Sequence, residues 1–534
     1  MAGTDHQGTG RKKLRYQLTL ITLGFGLIKF LIHMGIAGNY ELHRDAYLYL
    51  DYGNHLQWGY MSNPPFIAVL SWISLKVLGG SIYAVRFFPA LAGAITMIMV
   101  GRLIKALDGR KWAVILGCTA FLVSPVFLRA GSLFQPTVFD QMFWFMYLYL
   151  FVKLLQTYNK NYWFMLGLVA GIAFLNKYTI LAPVFLTTLF LLFTRHRKLL
   201  WVPQFSGFII NFGLLITPNI IWQYNHNWPE LNHFSTLRET QLVNLNDAWF
   251  LAMQFLMFAP AALIWVGGLA NLFTAKASRP YISLGYSFLG MIAVMLILQA
   301  KPYYPAPFYI ILFVFGAIQW EVWLEEKIKW LLPVMFTTMI ATAIPLLPLS
   351  LPYLNLKDMY TFSNTWQNRG FEEPFVWEDG MVHSLPQDYA DMTGWRQVAT
   401  IVNEAWMSLP EDQRTKAAIF GGNYGKTGAV NYYNRKEKDF PKAFCFEGSF
   451  MFWSPTTLEG VNALIYVGEP DSIVTALFGE STLFKAVADP YFRENGMPVY
   501  ILRQPVPEMY VRYAELRQSI IAPNHRKPFE HNKD

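Results

Sequence analysis

Charge is scarce in this sequence. Asp, Glu, Lys and Arg make up 15% of its 534 residues, where a soluble globular chain carries about 25%. An ordinary soluble enzyme is therefore excluded as a description of the whole chain. Cysteine is almost missing: Cys118 lies in an apolar segment and Cys445 in the polar C-terminal region. Two such residues make no disulfide framework and no zinc-ligand spacing. Neither a Walker loop nor a G-x-G-x-x-G turn occurs, so two familiar phosphate-cradling signatures of nucleotide enzymes are absent. There are no long internal repeats of the kind that mark many transporters. No small-residue cleavage site follows the first apolar run, Leu18–Ala37, which reads as a retained span and not a signal peptide. The net charge of +8 sits mostly in short loops, where it sets orientation and implies no nucleic-acid partner.

What is abundant is apolar and aromatic: 54% hydrophobic residues and 17% Phe, Trp and Tyr. Apolar runs of about 20 residues recur through the first two-thirds of the chain, as in a polytopic membrane protein. Arg11, Lys12, Lys13 and Arg15 precede the first run, so the positive-inside rule puts the N-terminus in the cytoplasm. The segment after Pro64-Pro65 is short and suits a helix lying along the interface. Residues 162–194 are apolar except for Asn176 and Lys177. Reading them as two short spans turning at that pair keeps both flanking basic loops inside. The resulting count is about eleven transmembrane helices. The expected organisation is a transmembrane domain over 1–350, with a first outer loop at 38–82, and an outer domain over 351–534. The latter has strand-like runs at Ala417–Phe420, Ala463–Val467 and Pro498–Leu502 around an amphipathic helix at Trp395–Leu409. That alternation predicts a small α/β layer. The extreme C-terminus reads as frayed.

The densest chemistry lies in 41–65, ELHRDAYLYLDYGNHLQWGYMSNPP, which carries Glu41, His43, Arg44, Asp45, Asp51 and His55. Asp45 is the candidate general base; the alternative is an N-cap for the helix that follows. His55 suits interfacial hydrogen bonding better than catalysis. Arg44, Arg86, Arg129, Lys177, Arg238 and Lys301 all map to outer loops or outer span ends. Cations there run against the positive-inside rule and need anions, either the chain's own Asp45, Asp51 and Asp140 or a bound phosphate. Glycosyl transfer from a phosphate leaving group needs a carboxylate for the acceptor proton and a cation for the departing phosphate. Asp45 offers the first; Arg129, Lys177 and Lys301 offer the second. Asp140, four residues after Pro136, is a second carboxylate candidate or a helix-start stabiliser. The tract KPYYPAPFY sets Tyr303 and Tyr304 beside Lys301, as a lipid-phosphate groove or an aromatic belt would. FGGNYGKTGAVNYY places glycines between a strand and a helix, either a plain turn or an anion position.

The Asp45 loop, the PP-led helix, NKYT and KPYYPAP together resemble the family 39 glycosyltransferases. These are polytopic enzymes of the GT-C fold that include the protein O-mannosyltransferases and the lipid A aminoarabinose transferase. The likeness is closest to the bacterial dolichyl-phosphate-mannose-protein mannosyltransferase-like branch and covers about residues 15–350. LPQDYADMTGW and GGNYGKTGAVNYY are similar to the outer-face domain of many bacterial members. The resemblance implies a polyprenyl-phosphate sugar donor, inversion at the sugar carbon, and Asp45 as the catalytic carboxylate. The chain also departs from the family pattern. Asp45-Ala46 stands where Asp-Glu is frequent, Asn63 and Pro64 where the aminoarabinose branch has a lysine, and Pro136-Thr137 where Pro-Asp is common. Asp140 is the candidate to replace that last carboxylate.

The expectation is thus a membrane glycosyltransferase of the bacterial inner membrane, acting at the outer face. It would move a sugar from a polyprenyl phosphate to a lipid, glycan or protein acceptor. Substrate-binding candidates are Arg44, His55, Arg129, Asp140, Lys177, Lys301, Tyr303 and Tyr304. No cofactor is called for, and a divalent metal is not indicated. The rivals are a lipid-linked sugar flippase and a catalytically silent scaffold.

Overall fold

The computed structural model describes residues 4–231, 247–325 and 328–525. Arg238 and the C-terminal tail read as frayed lie outside these residues. The first helix, α1 (Thr4–Gly35), is apolar from Lys12 onward. It is followed by α2 (Arg44–Asn54) and by α3 (Phe66–Trp72), which starts directly after Pro65. Proline there costs no hydrogen bond, because the first N–H groups of a helix have no intrahelical acceptor. Next come α4 (Ile82–Ala106), then α5 (Lys111–Val123) and α6 (Pro125–Ser132), bent by 61° at a proline. The long α7 (Pro136–Thr157) begins at Pro136. After it, α8 (Tyr162–Phe174) and α9 (Leu181–Leu192) are separated by the expected break at Asn176-Lys177 and a 3-10 turn, Tyr178–Ile180. α10 (Pro203–Asn225) and the helical segments Asp247–Leu256 with Ala259–Thr274, Lys276–Ile297, Ala306–Glu325 and Leu331–Ser350 follow.

Among the described residues, seven helices are long and apolar enough to cross a membrane, or up to ten if each bent pair is one span. The 13 residues of α8 reach only about 20 Å at 1.5 Å per residue, short of a bilayer core of about 30 Å. With α8, every one of the expected apolar segments is helical. The chain is a multi-span helical membrane protein.

The chain divides into two compact units. One comprises Met1–Ala37, Arg86–Pro218 and Leu237–Tyr353; the other comprises Gly38–Val85, Asn219–Thr236 and Leu354–Asp534. The segment Gly38–Val85 therefore belongs, by its contacts, with the C-terminal region.

In the first unit the helices pack through buried aromatic and aliphatic side chains. Phe121, Phe127, Phe258, Tyr309 and Phe313 form one such group, with Phe258 and Tyr309 stacked at 4.0 Å. In the second unit a four-stranded sheet has the order β1-β2-β4-β3. The strands are β1 (Ala417–Phe420), β2 (Ala463–Val467), β3 (Phe478–Ala486) and β4 (Pro498–Pro505). β1 and β2 are parallel, and the other pairings are antiparallel. Ala418, Leu464, Phe478 and Leu502 pack with Met509 and Tyr513 of the helix Pro507–Ile521. The amphipathic helix is Trp395–Met407, and it buries Val398, Ile401, Val402 and Ala405 as its spacing predicts. β3 carries no apolar alternation and is mostly exposed at the sheet edge, which is why only pairing with β4 reveals it.

Candidate active site

Residues 38–54 are tied down by backbone hydrogen bonds to the segment LPQDYADMTGW. The Glu41 N–H donates to Met392 O at 3.1 Å, and the Arg44 N–H to Asp391 O at 2.9 Å. α2 then runs between two partners within its unit. On one side Gly53 approaches α3; a Cβ there would lie 2.6 Å from the Trp72 backbone nitrogen. On the other side Gly428, in the helix Tyr424–Tyr433, approaches Tyr47; its Cβ would lie 2.8 Å from the Tyr47 carbonyl carbon. Only glycine permits two such close approaches, so α2 is held near its start by the helix Tyr424–Tyr433 and near its end by α3.

Asp45 stands in the first turn of α2, where the helix dipole favours a carboxylate. It is not the N-cap. The cap position belongs to His43, whose Nδ1 lies 3.2 Å from the Asp45 N–H. The Asp45 carboxylate is instead held by tertiary contacts. Its Oδ1 accepts the Tyr424 hydroxyl at 2.8 Å, and its Oδ2 lies 3.8 Å from His43 Nδ1. Its side chain is still 30% exposed, enough for a substrate hydroxyl to reach it. Arg44 lays its guanidinium over the Tyr424 ring at 4.4 Å, a cation–π contact that orients the phenol. Burial and the Asp45 carboxylate push the Tyr424 phenol well above its ordinary range, so it remains a donor at any physiological pH.

Behind Asp45 the buried His43 ring faces two more carboxylates. Its Nε2 lies 3.7 Å from Asp388 Oδ1 and 3.7 Å from Asp391 Oδ2. Arg493 Nη1 reaches both Asp391 oxygens at 3.2 Å. Burial pulls the imidazole down, but Asp45, Asp388 and Asp391 outweigh it and raise the ring to about 9. Burial pushes the Asp391 carboxyl up, against the pull of His43 and Arg493.

The glycine turn after β1 leads into the helix Tyr424–Tyr433, with Asn423 as its N-cap accepting the Lys426 N–H at 3.0 Å. The Tyr424 N–H donates to Glu447 at 3.0 Å, and Lys426 pairs with Glu494 at 2.9 Å. The chain's own carboxylate thus occupies the place an external anion would take, and the plain-turn reading holds. His55 bonds the Asp51 carbonyl at 3.0 Å and stacks on Trp453 at 4.2 Å.

The first unit holds a second cluster. Asp140 is buried near the start of α7, and both its oxygens lie 2.9 Å from the Thr179 hydroxyl. Asn176 donates to Pro136 O at 3.1 Å, which pins the α8–α9 break to the start of α7. Lys177, on that break, interacts with Asp140 and lies over the rings of Tyr304 at 4.5 Å and Tyr303 at 5.8 Å. NKYT and KPYYPAP, separate motifs in sequence, therefore form one site. Lys301 is half-buried in the turn before those tyrosines, and Arg129 is exposed in the last turn of α6. Among the described residues, no group of three or more His, Cys, Asp or Glu could hold a metal ion.

Tyr424, Asp388, Asp391 and Arg493 were not among the sequence candidates. Two of the segments that carry them were singled out, but their pairing with Asp45 and His43 spans more than 300 residues. No local spacing signals that.

Residues 62–222 match the dolichyl-phosphate-mannose-protein mannosyltransferase family. Comparison with curated proteins gives no match. Two crystal structures of ArnT from Cupriavidus metallidurans share the architecture. The one bound to undecaprenyl phosphate has a TM-score of 0.60 and the apo state 0.62. Each is 15% identical, over 90% of this chain and 97% of that one. At that identity the likeness is one of fold, and the fold is the GT-C type expected from the sequence.

Proposed function

We propose that this protein is an integral-membrane glycosyltransferase that moves a sugar from a polyprenyl-phosphate donor to an acceptor hydroxyl or amine. The observation that carries the reading is Asp45: a partly exposed carboxylate, held by Tyr424 and His43, on a GT-C fold. The match to a mannosyltransferase family supports sugar transfer. The undecaprenyl phosphate bound to the solved ArnT supports a polyprenyl carrier.

In this mechanism the acceptor oxygen attacks the sugar's anomeric carbon as its proton passes to Asp45. The bond between that carbon and the phosphate oxygen breaks, and polyprenyl phosphate leaves with the electron pair. One displacement inverts the anomeric configuration. Charge grows on the departing phosphate, and we assign its stabilisation to Lys177, with Arg129 and Lys301 as further cations. Tyr303 and Tyr304 hold the Lys177 ammonium, and Asp140 with Thr179 fixes the break that carries it. The reaction takes place at the outer face of the inner membrane, with the N-terminus cytoplasmic. The C-terminal region, 351–534, contributes to acceptor choice.

The test is transfer by purified protein from a radiolabelled polyprenyl-phosphate-sugar pool to membrane acceptors. Label recovered in a new lipid, glycan or protein supports the reading and identifies the acceptor. Translocation of the donor across vesicles without any new linkage would replace it with a flippase.

A further inference from the structure

His43 has no part in the reaction as written, yet it is a buried ring that faces three carboxylates. Its ring is buried, with only 7% of the side chain accessible. One nitrogen faces Asp45, and the other faces Asp388 and Asp391. All three carboxylates lie within 4 Å, an arrangement that favours a positive charge on the ring between them. We infer that His43 is a positioning residue for Asp45: its imidazolium, held from behind by Asp388 and Asp391, fixes the catalytic carboxylate where the acceptor's proton arrives. The inference rests on the glycosyltransferase reading and adds a residue to it.

The charged groups around the ring make the account specific. Asp45 lies ahead on α2 and is shared with the Tyr424 hydroxyl. Asp388 and Asp391 lie behind, and Arg493 pairs with Asp391 at 3.2 Å. Arg44, next in sequence, is engaged with the Tyr424 ring. Burial and Asp45 hold the Tyr424 phenol well above its ordinary range, so the His43 ring is the group that changes charge near pH 9. Once neutral, the ring offers Nδ1 as an acceptor for the Asp45 N–H, 3.2 Å away. Its lone pair then faces the carboxylate where a proton had been. The neutral ring caps α2 through that lone pair but no longer pins Asp45.

His43→Asn separates the two roles, because asparagine caps a helix well and carries no charge. The transfer assay, with the radiolabelled polyprenyl-phosphate-sugar pool, is run from pH 6 to 10 on wild type, His43→Asn, Asp388→Asn and Asp45→Asn. Wild-type kcat should fall as the pH passes about 9. His43→Asn should stay folded, with a melting temperature below wild type at neutral pH that converges with it towards pH 10, and should keep its donor KM. It should lose kcat on the order of tenfold or more and have no alkaline limb. Asp388→Asn leaves the ring in place with one carboxylate fewer, so its limb should move to lower pH. A His43→Asn protein with wild-type kcat overturns the inference. So does one with reduced kcat and an unchanged alkaline limb, which would make His43 a cap alone. Full transfer by Asp45→Asn would instead remove the glycosyltransferase mechanism on which the inference rests.

Discussion

At the scale of single residues, Tyr424 is the most direct test of how Asp45 is held. A hydrogen bond to a charged group contributes about 1.5–3 kcal/mol. Tyr424→Phe removes the hydroxyl 2.8 Å from Asp45 Oδ1 and keeps the ring under Arg44. Transfer should fall roughly tenfold to a hundredfold, with the fold intact by melting temperature. His43 also links stability to pH. Its pKa is raised from 6.5 to about 9 on folding, so its contribution is present in full below pH 6.5. It is lost as the pH rises through 9. The shift is worth about 3 kcal/mol at most. Melting temperatures between pH 6 and 10 should show a decline in wild type that is absent in His43→Asn. Asp45 and Arg44 stood out in the sequence because charge is so rare elsewhere. Tyr424 did not, because one tyrosine among 29 carries no signal until the chain folds.

At the scale of elements, α2 and the α8–α9 break carry the account. Gly428→Ala would set a methyl against the Tyr47 backbone, which cannot turn aside as a side-chain tip can. Such overpacking costs about 1–3 kcal/mol. It should lower the melting temperature and reduce transfer together, because the displaced helix carries Asp45. Lys177→Ala should weaken retention of polyprenyl phosphate by roughly tenfold or more, measured by binding to the purified protein; unchanged affinity would leave the ammonium a structural partner of Tyr304. The break at Asn176-Lys177 was legible because two polar residues in a long apolar run have a cost that only a turn relieves. β3 was not: FGESTLFKA is an exposed edge strand whose identity comes from its β4 neighbour.

At the scale of the whole molecule, the apolar segments and the α/β layer could be read from hydropathy and periodicity, since membrane and sheet impose both patterns directly. The grouping of the segment Gly38–Val85 with the C-terminal region could not. It depends on contacts such as Met61 N–H to Ser449 Oγ at 2.9 Å, which join distant parts of the sequence. Orientation is testable because both native cysteines are buried and free. Glu411→Cys, at an exposed position, should react with a membrane-impermeant maleimide on intact cells, whereas Lys198→Cys should react only after permeabilisation. The measurement that bears most directly on the central claim compares wild type with Asp45→Asn for transfer from the labelled polyprenyl-phosphate-sugar pool, with polyprenyl-phosphate binding followed in parallel. The account predicts unchanged binding and transfer reduced by on the order of a thousandfold or more. Full transfer by the folded, lipid-binding variant would contradict it.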